Sequence, residues 1–223
     1  RLRAGDEAGG RESFNRGAEF ALFLTVPAAV ALAVISLPLI AVLFERGAYT
    51  AADSAATAPA LAIYALGLPA FVLHKVLQPL YYAREDTRRP FNYAIVSLVV
   101  NAVIAFALMP VIGYLAAALG TTLSSWAMVW QLWRGTRSMG EAASLDSRFR
   151  RRVPLVFVSS AVMGLVLWGL MEFFGTAAIL PGQRLGILLL LILAGAVSYF
   201  ATVFLTGAMG VKELKSVLRR RKS

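Results

Sequence analysis

Long apolar runs alternate with short polar stretches along this chain. The runs cover residues 20–44, 56–82, 91–109, 111–133, 153–174 and 185–208. A helix needs ~20 apolar residues to cross a ~30 Å hydrocarbon core, and each run meets or approaches that length. They are apolar nearly all round, whereas a surface helix of a soluble protein keeps a polar face. The pattern predicts an all-α chain, a polytopic membrane helix bundle with six transmembrane helices. It divides into a polar segment at 1–19, four helices over 20–133, a basic loop at 134–152, a helix pair over 153–208 and a basic tail at 209–223. None of the polar stretches is long enough for a soluble catalytic domain.

Charge adds an orientation. Apart from Arg46, Lys75 and Arg184, every Lys and Arg falls before the first run, in the 83–90 loop, in the 134–152 loop or in the tail. The positive-inside rule places those segments, and both termini, in the cytoplasm. One helix more or fewer would swap the side of every later loop, so the asymmetry supports the six-span reading. Tyr81, Tyr82, Trp126, Trp130 and Trp133 stand near that same face, where interfacial anchoring is expected.

The composition agrees: 223 residues, 59% hydrophobic, 15% charged, mean hydropathy +0.70. A net charge of +10 and a pI near 10.5 would suggest nucleic-acid binding in a soluble domain. Here they are expected to reflect topology and attraction to anionic membrane lipids, with no nucleic-acid partner. The absence of cysteine and the single histidine, His74, exclude thiolate chemistry and multi-histidine metal centres. No signal-peptide pattern opens the chain, which reads as a piece of a longer one.

Few residues carry chemistry. Lys75 lies nine positions before Arg84, about 13 Å along a helix axis, inside the expected hydrocarbon region. A lysine there costs roughly 2.5–3.5 kcal/mol, which favours a place facing a cavity or a stem that snorkels to the interface. His74 beside it reads as a packing residue or a proton relay. In AREDTRRP, Glu85 and Asp86 can pair with Arg88 and Arg89, and Pro90 suits a helix start. That loop either pins a hairpin or offers Arg84, Arg88 and Arg89 to phosphates. Asn101, Thr121 and Thr122 are expected to hydrogen-bond between helices, with a cation site at Asn101 and Thr121 as the alternative. Gly113, Ala117 and Gly120 give one helix a small-residue face. Pro27, Pro38, Pro69 and Pro79 should break or loosen the first two runs.

The stretch LFERGAYTAADSAATAPALAIYALGLPAFVLHKVLQPLYYAREDTRRP, residues 43–90, resembles the MurJ/MviN lipid II flippases of bacterial cell-wall synthesis. The shared features are the turn after one helix, LF–RG–YT, and the helix end and loop, KVL–P–YYAREDTR–P. That family belongs to the superfamily of multidrug and polysaccharide exporters. The resemblance implies a transporter rather than an enzyme, in a bacterial inner membrane, moving the undecaprenyl-pyrophosphate-linked precursor between leaflets by alternating access. It implies no cofactor and no resident metal. Lipid II and the N-terminal lobe of the same chain, missing from this sequence, would be its partners. The last two helices would line a groove for the lipid tail, and Lys75 would add positive potential to the cavity. Some members bind sodium through an asparagine, an aspartate one turn later and a threonine. Asn101 and Thr121 match, but Ala105 stands at the aspartate position. A polysaccharide-lipid or multidrug exporter of the same superfamily is the alternative reading. A membrane lipid enzyme would call for paired intramembrane carboxylates or clustered histidines, and the runs contain neither.

Overall fold

A computed structural model of the protein describes residues 7–140, 143–175 and 182–207. Arg1, Arg3 and the basic tail at 209–223 lie outside these residues. The elements among them are helices: α1 (Glu7–Val34), α2 (Ser36–Phe44), α3 (Ala51–Ala65), α4 (Leu68–Tyr82), α5 (Arg88–Ile112), α6 (Leu115–Thr136), α7 (Ser147–Phe174) and α8 (Arg184–Thr206).

Two of the apolar runs are interrupted. The first breaks at Ile35, four residues after Ala31, whose carbonyl accepts from the Ile35 amide at 2.9 Å. Pro38 follows in the first turn of α2; its ring has no N–H and would collide with the Val34 carbonyl of a continuous helix. The second breaks at Leu66–Gly67, and Pro69 plays the same part in the first turn of α4. Carbonyls released by a break inside a bilayer must find donors within the protein. Those at 63 and 66 find them on α6: Thr122 Oγ1 donates to Ile63 O at 2.9 Å, and Trp126 Nε1 to Leu66 O at 3.0 Å.

The boundaries differ from the pattern elsewhere. α1 begins at Glu7, so residues 7–19 of the expected polar segment are already helical. Arg11, Asn15, Arg16 and Glu19 find partners on the 143–152 segment, while Glu7, Glu12 and Ser13 stay exposed. The turn expected near residue 110 falls at Gly113–Tyr114 instead, because Pro110 is tolerated inside α5 and Gly113 takes the positive φ of +58° that reverses the chain. Five stretches are long and apolar enough to cross a membrane: α1, α3–α4 taken together, α5, α7 and α8. α6 is not among them, since Gly120, Thr121, Thr122, Ser124, Ser125 and Gln131 dilute its apolar content.

Two cores share α1. Leu22, Phe23 and Val26 pack with Val156, Met163 and Leu167 of α7 and Leu188, Leu191, Tyr199 and Val203 of α8. Tyr199 seals this core by donating its hydroxyl to Phe23 O at 2.7 Å. One end of α1 enters the second core, where Phe14 joins Leu77, Leu80, Tyr81, Leu132, Met139 and Ala143. Tyr81, fully buried, donates to Leu132 O at 2.6 Å. α5 rests mainly on α6 and leaves Leu98, Val103, Phe106 and Val111 exposed.

Candidate functional site

The basic segments gather at one end of the bundle. Arg84 Nη2 donates to Met139 O at 2.7 Å, Arg11 Nε to Ser144 O at 3.4 Å, and Arg89 reaches Ser138 Oγ at 3.4 Å. These contacts bring the start of α1, the α4–α5 turn and the α6–α7 connection together. Arg46 and Arg184 lie at the other end, where Arg184 pairs with Glu45 at 3.1 Å.

Lys75 projects from α4 in an exposed stripe with Pro79 and Tyr82, the side of the helix opposite Leu77, Leu80 and Tyr81. Among the described residues no carboxylate pairs with it. His74, beside it, is half-buried. The three loop arginines divide. Arg84 is tied to backbone, with Leu80 O at 3.3 Å as a second acceptor. Arg89 pairs with Asp86 at 3.3 Å, and Asp86 also accepts from the Arg89 amide at 3.0 Å. Arg88 is exposed and has no partner among the described residues. Lys75 and Arg88 are therefore the two candidate cations left open, one within the span and one at its edge.

Asn101 and Thr121 lie on facing helices without bonding to each other. The Thr121 hydroxyl donates to Ala117 O of its own helix at 2.9 Å. Asn101 sits over Gly120: a Cβ there would lie 2.7 Å from Asn101 Oδ1 and 2.9 Å from Asn101 O. Glycine lets the two backbones approach, which is the use a small-residue face has in a membrane. Thr122, not Thr121, makes the interhelical bond. A cation site would need oxygens converging on one point, and no acidic or histidine cluster able to hold a metal exists among the described residues.

One cluster had no counterpart in the sequence reading. Glu19, on the buried face of α1, is bound by Arg16 and approached by Arg148 at 3.3 Å and Arg152 at 3.1 Å. Arg16 also binds Asp146, whose carboxylate caps α7 by accepting from Phe149 N at 2.6 Å. Asn15, with no exposed surface, donates to Arg11 O and Ser144 O at 2.9 Å and accepts from Asp146 N at 3.0 Å. The network fastens α7 to α1. Asp146 directly before α7 is a helix-start signal that would have located the cap, but nothing local pairs Glu19 with residues about 130 positions away.

Comparison with known proteins follows the same outline. A family model described as lipid II flippase MurJ matches residues 2–204. A probable lipid II flippase MurJ of Rhizobium tropici is 40% identical over 212 residues, covering 93% of this chain and 39% of the relative. Another, of Rhizobium meliloti (strain 1021), is 33% identical over 227 residues, covering 98% and 41%. A solved lipid II flippase MurJ in an inward closed conformation aligns with a TM-score of 0.73 over 90% of this chain and 40% of its own, at 22% identity, and so shares the fold. The chain spans about two fifths of the length of these proteins. It is an all-helical membrane bundle and belongs to the MurJ lipid II flippase family.

Proposed function

We propose that this chain is the C-terminal part of a lipid II flippase, a transporter that moves the undecaprenyl-pyrophosphate-linked peptidoglycan precursor from the cytoplasmic to the periplasmic leaflet by alternating access. The family match over residues 2–204 carries the proposal. A pyrophosphate and sugar headgroup cannot cross hydrocarbon unaided, because a charge in a low dielectric is prohibitively costly. The prenyl chain needs no such shelter. The protein's task is thus a polar path for the head beside an apolar surface for the tail.

In this reading Lys75 faces the path and supplies positive potential, with Arg88 at its cytoplasmic mouth. The N-terminal lobe of the same chain covers the open side of α4. Helices α7 and α8 form the tail-binding pair, held to α1 by Glu19. The threading is six crossings, with α6 packed against α3, α4 and α5 and both termini cytoplasmic. The gathering of Arg11, Arg84, Arg89 and Arg148 at one end of the bundle supports it.

Depletion of the full-length parent tests the function. Lipid II should accumulate with its headgroup on the cytoplasmic face, as read by a probe admitted only from outside. Normal delivery of lipid II, with loss of an exported glycan or drug instead, would move the protein to the exporter branch of the superfamily.

A further inference from the structure

Most of the arginines at the basic end already have a partner. Arg16, Arg148 and Arg152 share Glu19, Arg84 holds the Met139 carbonyl, Arg89 holds Asp86, and Arg134 lies 5.3 Å from the Trp130 ring centre. Arg137 and Arg150 differ. Each is exposed, neither pairs with a carboxylate among the described residues, and both line one cavity of about 330 Å³. Asp146, four residues before Arg150, is held by Arg16 and by the Phe149 amide, and Glu141, the acid nearest Arg137 in sequence, lies outside the described residues.

The position of Arg150 is unfavourable as it stands. It lies in the first turn of α7, where the helix dipole presents its positive end and favours anions. For Arg148, in the same turn, the carboxylate of Glu19 offsets that cost. For Arg150 the capping carboxylate of Asp146 is already engaged by Arg16 and the Phe149 amide.

The cavity between the two guanidiniums is preformed. Ala143 of its wall is buried in the second core, and the Ser144 carbonyl is fixed by Asn15 at 2.9 Å. Trp133 forms another wall and is stacked on Phe14 at 6.5 Å. From Trp133 an aromatic stripe continues along α6 through Trp130 and Trp126, both exposed, at the i, i+4, i+7 spacing that places them on one face. A cationic cleft beside an exposed aromatic stripe fits an amphiphile, not a free ion.

We infer that Arg137 and Arg150 hold the phosphodiester headgroup of an anionic phospholipid of the cytoplasmic leaflet, whose acyl chains lie along Trp130 and Trp126. Guanidinium forks match phosphate oxygens in geometry, and basic pockets on the cytoplasmic side of membrane helices take such headgroups. The inference uses the cytoplasmic placement of this end but nothing about lipid II.

The test uses the full-length parent in nanodiscs, with phosphatidylglycerol or phosphatidylcholine as the probe lipid and retained lipid counted by mass spectrometry. Phosphatidylglycerol should be retained over phosphatidylcholine. Each of Arg137→Gln and Arg150→Gln should weaken that retention about fivefold, near the ~1 kcal/mol that one basic residue contributes at an anionic surface. Arg46→Gln, the same charge change at the other end, should leave it unaltered. Arg137→Lys/Arg150→Lys keeps the charge and should retain part of the preference, which separates binding from misfolding. Equal retention of the two lipids overturns the inference, as does retention indifferent to both Gln variants. Displacement of the lipid by millimolar inorganic phosphate would overturn it in favour of a free-phosphate site. No arm measures transport, so failure here and failure of the flippase reading are separate outcomes.

Discussion

Arg148 and Arg152 stand 3.3 and 3.1 Å from a buried glutamate, whereas Lys75 and Arg88, also on the side of the basic loops, meet no carboxylate among the described residues. The same charge serves two ends. A cation that closes on Glu19 ties two helices together, and its charge is partly offset for anything approaching from outside. A cation left open on α4 contributes nothing to holding the bundle and keeps its field for a ligand. Mutations should separate the two sets because stability and transport respond to different members.

The largest effect on stability is expected at Glu19→Ala. Three guanidiniums would lose their shared carboxylate, and removing one partner of a buried ion pair costs about 3–5 kcal/mol. Side chains of Arg16 and Arg148 are 30% and 41% exposed, so water takes over part of the pairing. The net loss should be about 2–3 kcal/mol, read as a lower thermal midpoint of the full-length parent in detergent. An unchanged midpoint would mean that α7 is held by its apolar contacts with α1 alone, and the distinction between tied and open cations would fail.

Arg84 sharpens the comparison because it sits in the loop whose arginines the sequence offers to phosphates, yet its guanidinium is bound to Met139 O and Leu80 O. Arg84→Ala should cost about 1.5–3 kcal/mol, the usual worth of hydrogen bonds from a charged donor, read as a lower thermal midpoint. Transport by the protein that still folds should be near normal. The reverse outcome, full stability with lost transport, would move Arg84 from the tied set to the open one.

What the sequence reveals follows the range of each interaction. Helices are local, so apolar length and the clustering of basic loops were enough to expect an all-helical membrane bundle. Of the four prolines expected to break or loosen the first two runs, Pro38 and Pro69 stand at the breaks, whereas α1 and α4 continue through Pro27 and Pro79. The start of α1 was missed since Arg11, Asn15, Arg16 and Glu19 look like a solvated segment until their partners are seen. Those partners, Ser144, Asp146, Arg148 and Arg152, lie across the whole four-helix portion of the chain. The division of the loop arginines was hidden for the same reason. Arg84 and Arg89 find acceptors at 139 and 138, and no spacing rule connects a turn to a loop some fifty residues later.

The smallest change in stability, and the most informative, is expected at Lys75→Gln. An exposed side chain without a partner holds no helix in place, so the midpoint should stay within about 0.5 kcal/mol of the parent. Membrane insertion should be as good or better, since a lysine within a span is costly to insert and glutamine carries no charge. Transport should nevertheless fall, measured as externally accessible lipid II in cells supported only by the variant, and Lys75→Arg should restore most of it. Those outcomes together are what a cavity-facing cation requires. A lysine that merely snorkels along α4 would leave stability and transport alike untouched, and Lys75 would then drop out of the open set.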